Sequence, residues 1–295
     1  MLNKIKAHVV FNVLLKRPNI EKAYAMVGKE DSWYDTISTV HKSLEEIKKL
    51  NHEVLEINSH DNLVLKGIYY PTSTKENITV ICVHGYTSHA EREWAFPGLF
   101  YHSLGYNVFI PYLRAHGLSE GKYITFGALE YLDIIKWIEY INKINPNTKI
   151  IIHGLSMGGG IALDLANKEM NNVKCLISDA PSTSIEWFFK GVCQNTFKKN
   201  AEKIALETIK LFNKKFKVNA SEFDSFKIVK ESKYPILLAA GSNEGRKEDF
   251  DNLKKLNPHK TSIVILEGCN HGNGMYKQTE VFQKAIKDFI NENIK

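Results

Sequence analysis

One serine of the chain lies in a motif that can turn a hydroxyl into a nucleophile. Residues 154–158 read Gly-Leu-Ser-Met-Gly, between an apolar run at 148–153 that predicts a strand and a helical pattern at 158–169. This order of strand, sharp turn and helix exposes the serine hydroxyl at the start of a helix. Backbone N–H groups at a helix start favour developing negative charge. Ser156 is therefore the predicted nucleophile.

A serine nucleophile needs a general base, and the base needs a carboxylate that orients it. In folds built around such a turn the chain order is nucleophile, acid and then histidine. We predict that His271 is the base, because it stands in a turn just after the last predicted strand, at 261–266. His259 precedes that strand and so falls at the opposite end of the sheet.

Three carboxylates are candidates for the orienting acid. Glu244 is the first carboxylate after the predicted strand at 235–240, which is where the acid should lie. Asp179 ends the predicted strand at 173–178 and could also reach the base, whereas Asp249 falls within the next helical pattern. We favour Glu244 and keep Asp179 and Asp249 as alternatives.

Acyl transfer also needs two backbone N–H groups aimed at the developing oxyanion. Met157, the residue after the nucleophile, supplies one, and the loop after the strand at 78–83 should supply the other. That loop reads His84-Gly-Tyr, so the N–H of Tyr86 is the candidate. We expect His84 to hold the loop by hydrogen bonding rather than to act in catalysis.

The remaining pattern describes the elements that must position these residues. Strands are predicted at 53–58, 63–69, 78–83, 107–111, 148–153, 173–178, 235–240 and 261–266. Helical patterns fall at 92–104, 127–142, 158–169, 247–257 and 277–293. Nearly continuous apolar strands that alternate with helices indicate a parallel sheet covered on both faces. The fold class is therefore α/β, with about eight mostly parallel strands.

The alternation of strands and helices divides the chain into three parts. Residues 1–50 are expected to form a helical extension, and residues 51–181 and 233–295 the core. Residues 182–232 carry helical patterns and many aromatic residues, so we expect a small helical cap above the nucleophile. The aromatic residues expected to line an acyl pocket are Trp187, Phe188 and Phe189.

The N-terminal segment begins with two lysines and a short apolar stretch at 7–15, as a signal sequence does. Lys16–Pro18 follow where a small-residue cleavage site would lie, and the stretch is too short for a membrane span of about 20 residues. Its spacing predicts an amphipathic helix docked on the body, with a weak membrane-surface contact as the alternative. A capping box at Ser43–Glu46 predicts that another helix begins there.

Composition excludes several classes of protein. The chain has 295 residues, 43% hydrophobic and 24% charged, which is typical of a folded globular protein. A net charge of +6 is mild, so a nucleic-acid partner is not expected. No metal-ligand or phosphate-loop motif occurs, so neither a metal nor a cofactor is expected. Scattered cysteines without a CxxC pair predict buried thiols in a reducing, cytoplasmic compartment: Cys82, Cys175, Cys193 and Cys269.

These motifs together resemble the α/β-hydrolase superfamily, in its serine-aminopeptidase-like and monoacylglycerol-lipase-like branch. The resemblance covers about residues 50–295, apart from 182–232. The matching residues are His84–Tyr86, Arg114–Gly121, Gly127, Glu130, Asp133, Gly154–Gly159, Asp179–Pro181 and His271–Gly272. By position it implies Ser156 as nucleophile, His271 as base, and the N–H groups of Tyr86 and Met157 as oxyanion donors. Relatives usually carry aspartate at the position of Glu244.

The resemblance implies a serine hydrolase with the α/β-hydrolase fold. We expect it to cleave a small or medium acyl or aromatic carboxylic ester through an acyl-enzyme on Ser156. The same three residues could instead serve a thioesterase or an amidase or peptidase. A binding protein that has kept the fold and lost turnover is a further alternative. The expected partner is a small-molecule ester. No segment of the chain is expected to span a membrane.

Overall fold

Eight strands form one sheet in the computed structural model, which describes residues 2–19, 33–74 and 77–294. The strands are β1 (Glu53–Asn58), β2 (Val64–Tyr70), β3 (Ile78–Val83), β4 (Asn107–Pro111), β5 (Lys149–Leu155), β6 (Val173–Asp179), β7 (Ile236–Gly241) and β8 (Thr261–Leu266). Their order across the sheet is β1-β2-β4-β3-β5-β6-β7-β8. β2 is antiparallel to both of its neighbours, and every later pair is parallel.

Helices connect the strands and flank the sheet. They are α1 (Leu2–Leu15), α2 (Ile37–Ile47), α3 (Ala90–Ser103), α4 (Glu130–Ile144), α5 (Met157–Asp164), α6 (Ile185–Thr196), α7 (Ala201–Phe216), α8 (Ser225–Ile228), α9 (Lys247–Leu256), α10 (Gly274–Lys277) and α11 (Thr279–Asn293). Short 3₁₀ turns precede α2, flank α8 and follow β7.

The sheet is covered on both faces, as the alternating pattern predicts. On one face Trp137 of α4 packs against Phe109 of β4, with ring centroids 4.6 Å apart. On the other face Trp94 of α3 packs against His153 of β5 at 4.8 Å. Both tryptophans are at most 2% exposed. Burial of such large side chains on two faces is the main stabilising contribution in a sheet of this kind. The predicted fold class is confirmed.

The predicted helix start at Ser43 is wrong. α2 begins six residues earlier, at Ile37, and Ser43 lies within it as a buried side chain. The buried positions Val40, Ser43 and Ile47 recur at helical spacing, so Ser43 belongs to the packed face of the helix and does not cap it.

The helix predicted in the N-terminal segment docks on α6 and α7. Ala7 and Val10 of α1 pack with Cys193, Ile204 and Ala205. Phe11 of α1 stacks on Phe216 at the end of α7, with ring centroids 6.0 Å apart. Residues 20–32, which follow this helix, lie outside the described residues. Within the described ranges, no helix is both long enough and apolar enough to cross a membrane.

Residues 182–232, hereafter the insertion, leave the core between β6 and β7 and contain α6, α7 and α8. The side chain of Ser184 accepts a hydrogen bond from the N–H of Trp187 and so caps α6. Asp224 caps α8 in the same way through the N–H of Phe226. The two capping residues pair in a β-bridge, which ties the start of the insertion to its last helix.

Candidate active site

Ser156 occupies a strained turn between β5 and α5. Its backbone angles, φ of 57° and ψ of −113°, lie outside the regions that residues other than glycine ordinarily adopt. The turn needs glycine on both sides, because a Cβ on Gly154 would collide with the carbonyl of Gly158, and one on Gly158 with the carbonyl of Val83. The strain holds the serine hydroxyl at the N-terminus of α5.

His271 and Glu244 stand beside this hydroxyl. The Oγ of Ser156 is 2.9 Å from Nε2 of His271, and Nδ1 of His271 is 2.6 Å from Oε2 of Glu244. The other carboxylate oxygen of Glu244 accepts the N–H of Gly241 at 2.9 Å, which fixes the carboxylate against the end of β7. The side chain of Glu244 is 9% exposed and that of His271 is 55% exposed. The three side chains therefore form one hydrogen-bonded line.

The carboxylate of Glu244 changes the acidity of His271. Its hydrogen bond raises the pKa of His271 above the usual value, and the negative charges of Glu244 and Asp179 add to this effect, while burial opposes it. A raised pKa makes the imidazole a better proton acceptor. The arrangement suits a general base that takes a proton from Ser156.

The two alternative acids make other contacts. Asp179 is buried at the end of β6, and its main-chain carbonyl accepts the N–H of Ser156 at 2.8 Å. Burial, and secondarily the charge of Glu244, raises the pKa of Asp179 to about 8. Asp249 accepts a hydrogen bond from Arg246 at 3.1 Å. Of the three candidates, Glu244 is the one whose carboxylate bonds to His271 among the described residues.

The loop after β3 lies against the serine. The backbone of Gly85 is close to the serine, because a Cβ built on it would lie in ordinary van der Waals contact with Cβ of Ser156, at 3.4 Å. Tyr86 follows and lines the cleft beside Ser156. Met157 is the first residue of α5, so its N–H has no partner within the helix. Both predicted N–H groups thus belong to backbone that borders the serine.

His84 holds this loop, as predicted. Its Nε2 accepts the N–H of Leu113 at 3.1 Å, and its Nδ1 lies 2.8 Å from the carbonyl of Gly85. The side chain is fully buried, and burial lowers the pKa of His84 well below its usual range. A neutral imidazole with a partner on each nitrogen connects β3 to the chain after β4.

The side chain of Arg114 forms ion pairs with two carboxylates, which indicates a structural role. Its guanidinium bonds to Asp133 at 2.6 Å and to Asp61 at 3.0 Å. His60 lies near the same two carboxylates, which makes a cluster that could in principle bind a cation. Because the cation of Arg114 already pairs with both acids, the cluster is explained as an ion-pair network that is buried at Arg114 and Asp133 and exposed at Asp61.

A carboxylate that sequence analysis missed lies beside the serine. Glu93 of α3 accepts the N–H of Gly85 at 2.8 Å and lines the same cleft as Ser156. Burial raises the pKa of Glu93 to about 7, although hydrogen bonds from Ser88 and Gly85 oppose the shift. No local motif marks this glutamate, because its role depends on where α3 packs.

A cleft of about 470 Å³ opens over Ser156 and His271. Part of its wall comes from residues 33–40, which sequence analysis assigned only to a helical extension. The indole N–H of Trp33 donates to the main-chain carbonyl of His271 at 3.1 Å, which anchors this wall to the base. The apolar lining residues are Trp33, Ile37, Val40, Tyr86, Leu155 and Tyr276.

The three aromatic residues predicted to line an acyl pocket lie elsewhere. Among the described residues that line the cleft, none belongs to the insertion. Trp187 is 60% exposed and lies near the guanidinium of Arg246. Phe189 is fully buried, and Phe188 packs against Phe126 with ring centroids 4.2 Å apart. The structure does not bring these side chains to Ser156.

The sheet order and the strand–turn–helix at Ser156 define an α/β-hydrolase. The family model for serine aminopeptidases, S33, matches residues 74–243, and the chain belongs to that family. The match includes the loop after β3, the serine turn and the whole insertion, and it ends one residue before Glu244.

Two curated proteins are similar over about half of the chain. Protein bem46 of Schizosaccharomyces pombe is 27% identical over 141 residues, which are 46% of this chain and 46% of that protein. Protein YqkD of Bacillus subtilis is 32% identical over 144 residues, 48% of this chain and 46% of its own length. The matched region thus spans about half the length of each relative.

Solved structures share the fold over most of the chain. An esterase of Pyrococcus furiosus is 25% identical and covers 86% of this chain and 94% of its own, with a TM-score of 0.65. An acylaminoacyl peptidase of Pyrococcus horikoshii is 19% identical, covers 85% of this chain and 43% of its own, and has a TM-score of 0.62. At that identity, the likeness to the peptidase concerns the fold alone.

Proposed function

We propose that the protein is a serine hydrolase of carboxylic esters in which Ser156 is the nucleophile, His271 the base and Glu244 the orienting acid. The hydrogen-bonded line from Ser156 through His271 to Glu244 carries this proposal. The similarity to an esterase over most of both chains supports the choice of an ester. The family supports hydrolysis in general.

The first half of the reaction forms an acyl-enzyme. Oγ of Ser156 attacks the ester carbonyl carbon while Nε2 of His271 takes the hydroxyl proton. The carbonyl oxygen becomes an oxyanion, and the N–H groups of Tyr86 and Met157 donate to it. The tetrahedral intermediate collapses as the C–O bond to the alcohol breaks. His271 returns its proton to the leaving alcohol, and the acyl group remains on Ser156.

The second half releases the acid. A water molecule enters beside His271, which takes one proton as the water oxygen attacks the acyl carbon. The resulting oxyanion occupies the same pair of N–H groups. The bond to Oγ of Ser156 then breaks, and the proton held by His271 returns to Oγ. Glu244 keeps the imidazole oriented and stabilises its cation in both halves.

The cleft supports a small or medium acyl or aromatic substrate. Its volume of about 470 Å³ lies within the range of small-molecule sites, about 300–1,000 Å³. Its walls near Ser156 are mainly apolar, with Ile37, Val40 and Tyr276 on them. An acyl chain or an aromatic ring would replace water there, and water exclusion strengthens the oxyanion hydrogen bonds.

A peptide or amide substrate is the second candidate. The family description supports it, and so does Glu93, a half-buried carboxyl that lines the cleft. Such a group could pair with the ammonium of a peptide N-terminus. An aminoacyl p-nitroanilide offered beside the matching p-nitrophenyl ester separates the two. A higher kcat/KM on the anilide than on the matching ester would favour a peptidase.

We propose that the protein acts in a reducing compartment such as the cytoplasm. The four cysteines are all buried free thiols. Thiols in this state are usual where disulfides do not form.

Replacement of the nucleophile tests the proposal directly. Ser156→Ala should lower kcat on p-nitrophenyl acetate by about 10⁴–10⁶, because nucleophilic catalysis is lost while the oxyanion donors remain. A fluorophosphonate probe should label the wild-type chain at Ser156 and leave the variant unlabelled, and circular dichroism should match. Turnover of the variant within a few fold of wild type would contradict the serine mechanism. A wild-type chain that neither reacts with the probe nor hydrolyses esters would instead favour the binding-protein alternative.

A further inference from the structure

α1 has two apolar faces, and only one of them is packed against the described part of the chain. The inner face contacts the insertion and the core through Ala7, Val10, Phe11 and Leu15. The outer face carries a second row of aliphatic side chains, hereafter the outer stripe. Its members and their exposed fractions are Leu2 (64%), Ile5 (52%), Val9 (55%) and Val13 (71%).

Exposed large hydrophobic side chains are concentrated in the outer stripe. Twelve large hydrophobic side chains are exposed among the described residues, and four of them lie in this helix of 14 residues. Their spacing of three and four residues places them on one side of the helix. Single exposed aliphatic side chains are ordinary, but a continuous exposed row marks an interaction surface.

The segment that carries the outer stripe, and the insertion it packs on, are both rich in positive charge. Residues 2–19 contain no acidic residue and four basic ones, Lys4, Lys6, Lys16 and Arg17. The insertion contains ten lysines and six acids, so it carries +4 as well. Because the whole chain carries +6, all other residues together sum to −2. α1 packs on α6 and α7, so the two basic segments are neighbours in the fold.

We propose that the outer stripe docks on the surface of an anionic phospholipid bilayer, with α1 lying in the plane of the interface. The four aliphatic side chains would enter the boundary between headgroups and acyl chains, while neighbouring lysines meet the lipid phosphates. A helix of 14 residues is about 21 Å long, shorter than the hydrocarbon core of about 30 Å, so it lies along the surface.

The combination of apolar and basic groups selects this partner. A nucleic acid would meet the charge but would leave the aliphatic row without an apolar contact. A second copy of the chain would bring two positively charged faces together, which opposes association. An anionic bilayer satisfies both groups at once. The inner face stays packed throughout, so docking requires no rearrangement, and the inference does not depend on the proposed ester hydrolysis.

Sedimentation of the full chain with vesicles tests the apolar contribution. Wild-type protein should bind vesicles of phosphatidylcholine that contain a quarter phosphatidylglycerol, and bind pure phosphatidylcholine much less. Val9→Asp should weaken binding to the anionic vesicles by about tenfold, because it places a charge at the centre of the stripe. Val281→Asp is the matched control, since Val281 is 52% exposed on α11, and it should bind as wild type. The melting temperatures of the three proteins should agree.

A second pair of variants tests the electrostatic contribution. Lys198 and Lys199 are exposed beside Phe197, whose ring lies 5.1 Å from the ammonium of Lys6. Reversing both charges in the double variant K198E/K199E should weaken binding to anionic vesicles at low salt and remove most of the salt dependence of binding. The same change at the exposed pair K48E with K49E, after α2, should have little effect.

Three results would overturn the proposal. Equal binding of wild-type protein to neutral and anionic vesicles would remove the role of charge. An equal loss of binding in Val9→Asp and Val281→Asp would remove the role of the outer stripe. A wild-type dimer in light scattering that Val9→Asp dissociates, with no binding of either protein to vesicles, would assign the outer stripe to a second copy of the chain.

Discussion

At the residue scale, the proposed mechanism requires that the protonation of His271 decide when Ser156 can react. The base must be neutral to accept the serine proton, and the pKa of His271 is raised chiefly by its hydrogen bond to Glu244. Activity should therefore rise with pH through a midpoint above 6.5, the usual value for histidine. Loss of the carboxylate charge should move this midpoint down even as it slows the reaction.

Glu244→Gln tests that relation. The amide can still contact the imidazole, but it neither stabilises the imidazolium nor fixes the same tautomer, so kcat should fall by up to about 10⁴. The midpoint of kcat/KM against pH should move to lower pH in the same variant. Asp249→Asn serves as the control, because that carboxylate binds Arg246. An unchanged profile for Glu244→Gln, with a shifted one for Asp179→Asn, would transfer the acid role to Asp179.

Glu93 offers a second test at this scale. Its carboxylate accepts the N–H of Gly85 and so positions the loop that presents the N–H of Tyr86. Glu93→Ala should lower kcat with little change in KM, by less than the about 10²–10³ expected for loss of an oxyanion donor. Glu93→Gln keeps an acceptor in place and should retain most of kcat. Equal losses in both variants would show that the charge matters and that the hydrogen bond does not.

At the scale of elements, α2 and the turn before it shape the cleft. Val40 is 6% exposed and lines the cleft, whereas Trp187 lies near Arg246, away from it. Val40→Phe should shift the preferred p-nitrophenyl ester towards shorter acyl chains, since one methylene in such a pocket is worth about 1–3 kcal/mol. Trp187→Ala should leave the chain-length profile unchanged. The opposite pattern would support an acyl pocket formed by the insertion.

The parts that sequence predicted are those that depend on short stretches of chain. The turn at Ser156 is specified by the strand before it and by two glycines that the backbone requires. Glu244 and His271 are placed by the ends of β7 and β8, because parallel strands end at one edge of the sheet. Those contacts follow from local pattern and topology together.

The parts that sequence missed depend on packing between distant segments. Trp33 reaches the carbonyl of His271 across 238 residues of chain, and nothing near Trp33 indicates this. α2 shows a helical pattern, yet the pattern says only that one face is buried and not which element buries it. The aromatic residues of the insertion were assigned to the cleft by their sequence position, whereas Phe188 and Phe189 pack into the core.

At the scale of the whole molecule, two acids near the site have pKa values far above the usual range. Burial raises the pKa of Glu93 to about 7 and that of Asp179 to about 8. Each group holds a proton more tightly in the folded chain than in the unfolded one. The stability this provides is complete below the unfolded pKa, near 4, and is lost as pH rises through the folded value. The contribution of these two acids to the free energy of unfolding should therefore decline between about pH 4 and pH 8.

Asp179→Asn isolates one contribution to that decline. Asparagine is neutral at every pH, so it avoids the ionisation of a side chain that is 5% exposed and lies near the negative charges of Glu244 and Glu93. The melting temperature of the variant should equal that of the wild type near pH 4 and exceed it at pH 8, by about 2 °C for each kcal/mol recovered. Asp251→Asn is the control, since Asp251 is exposed and paired with Lys247, which lowers its pKa; removing it should change stability little and in the opposite sense. A difference between Asp179→Asn and wild type that stays constant from pH 4 to pH 8 would show that Asp179 does not ionise over this range.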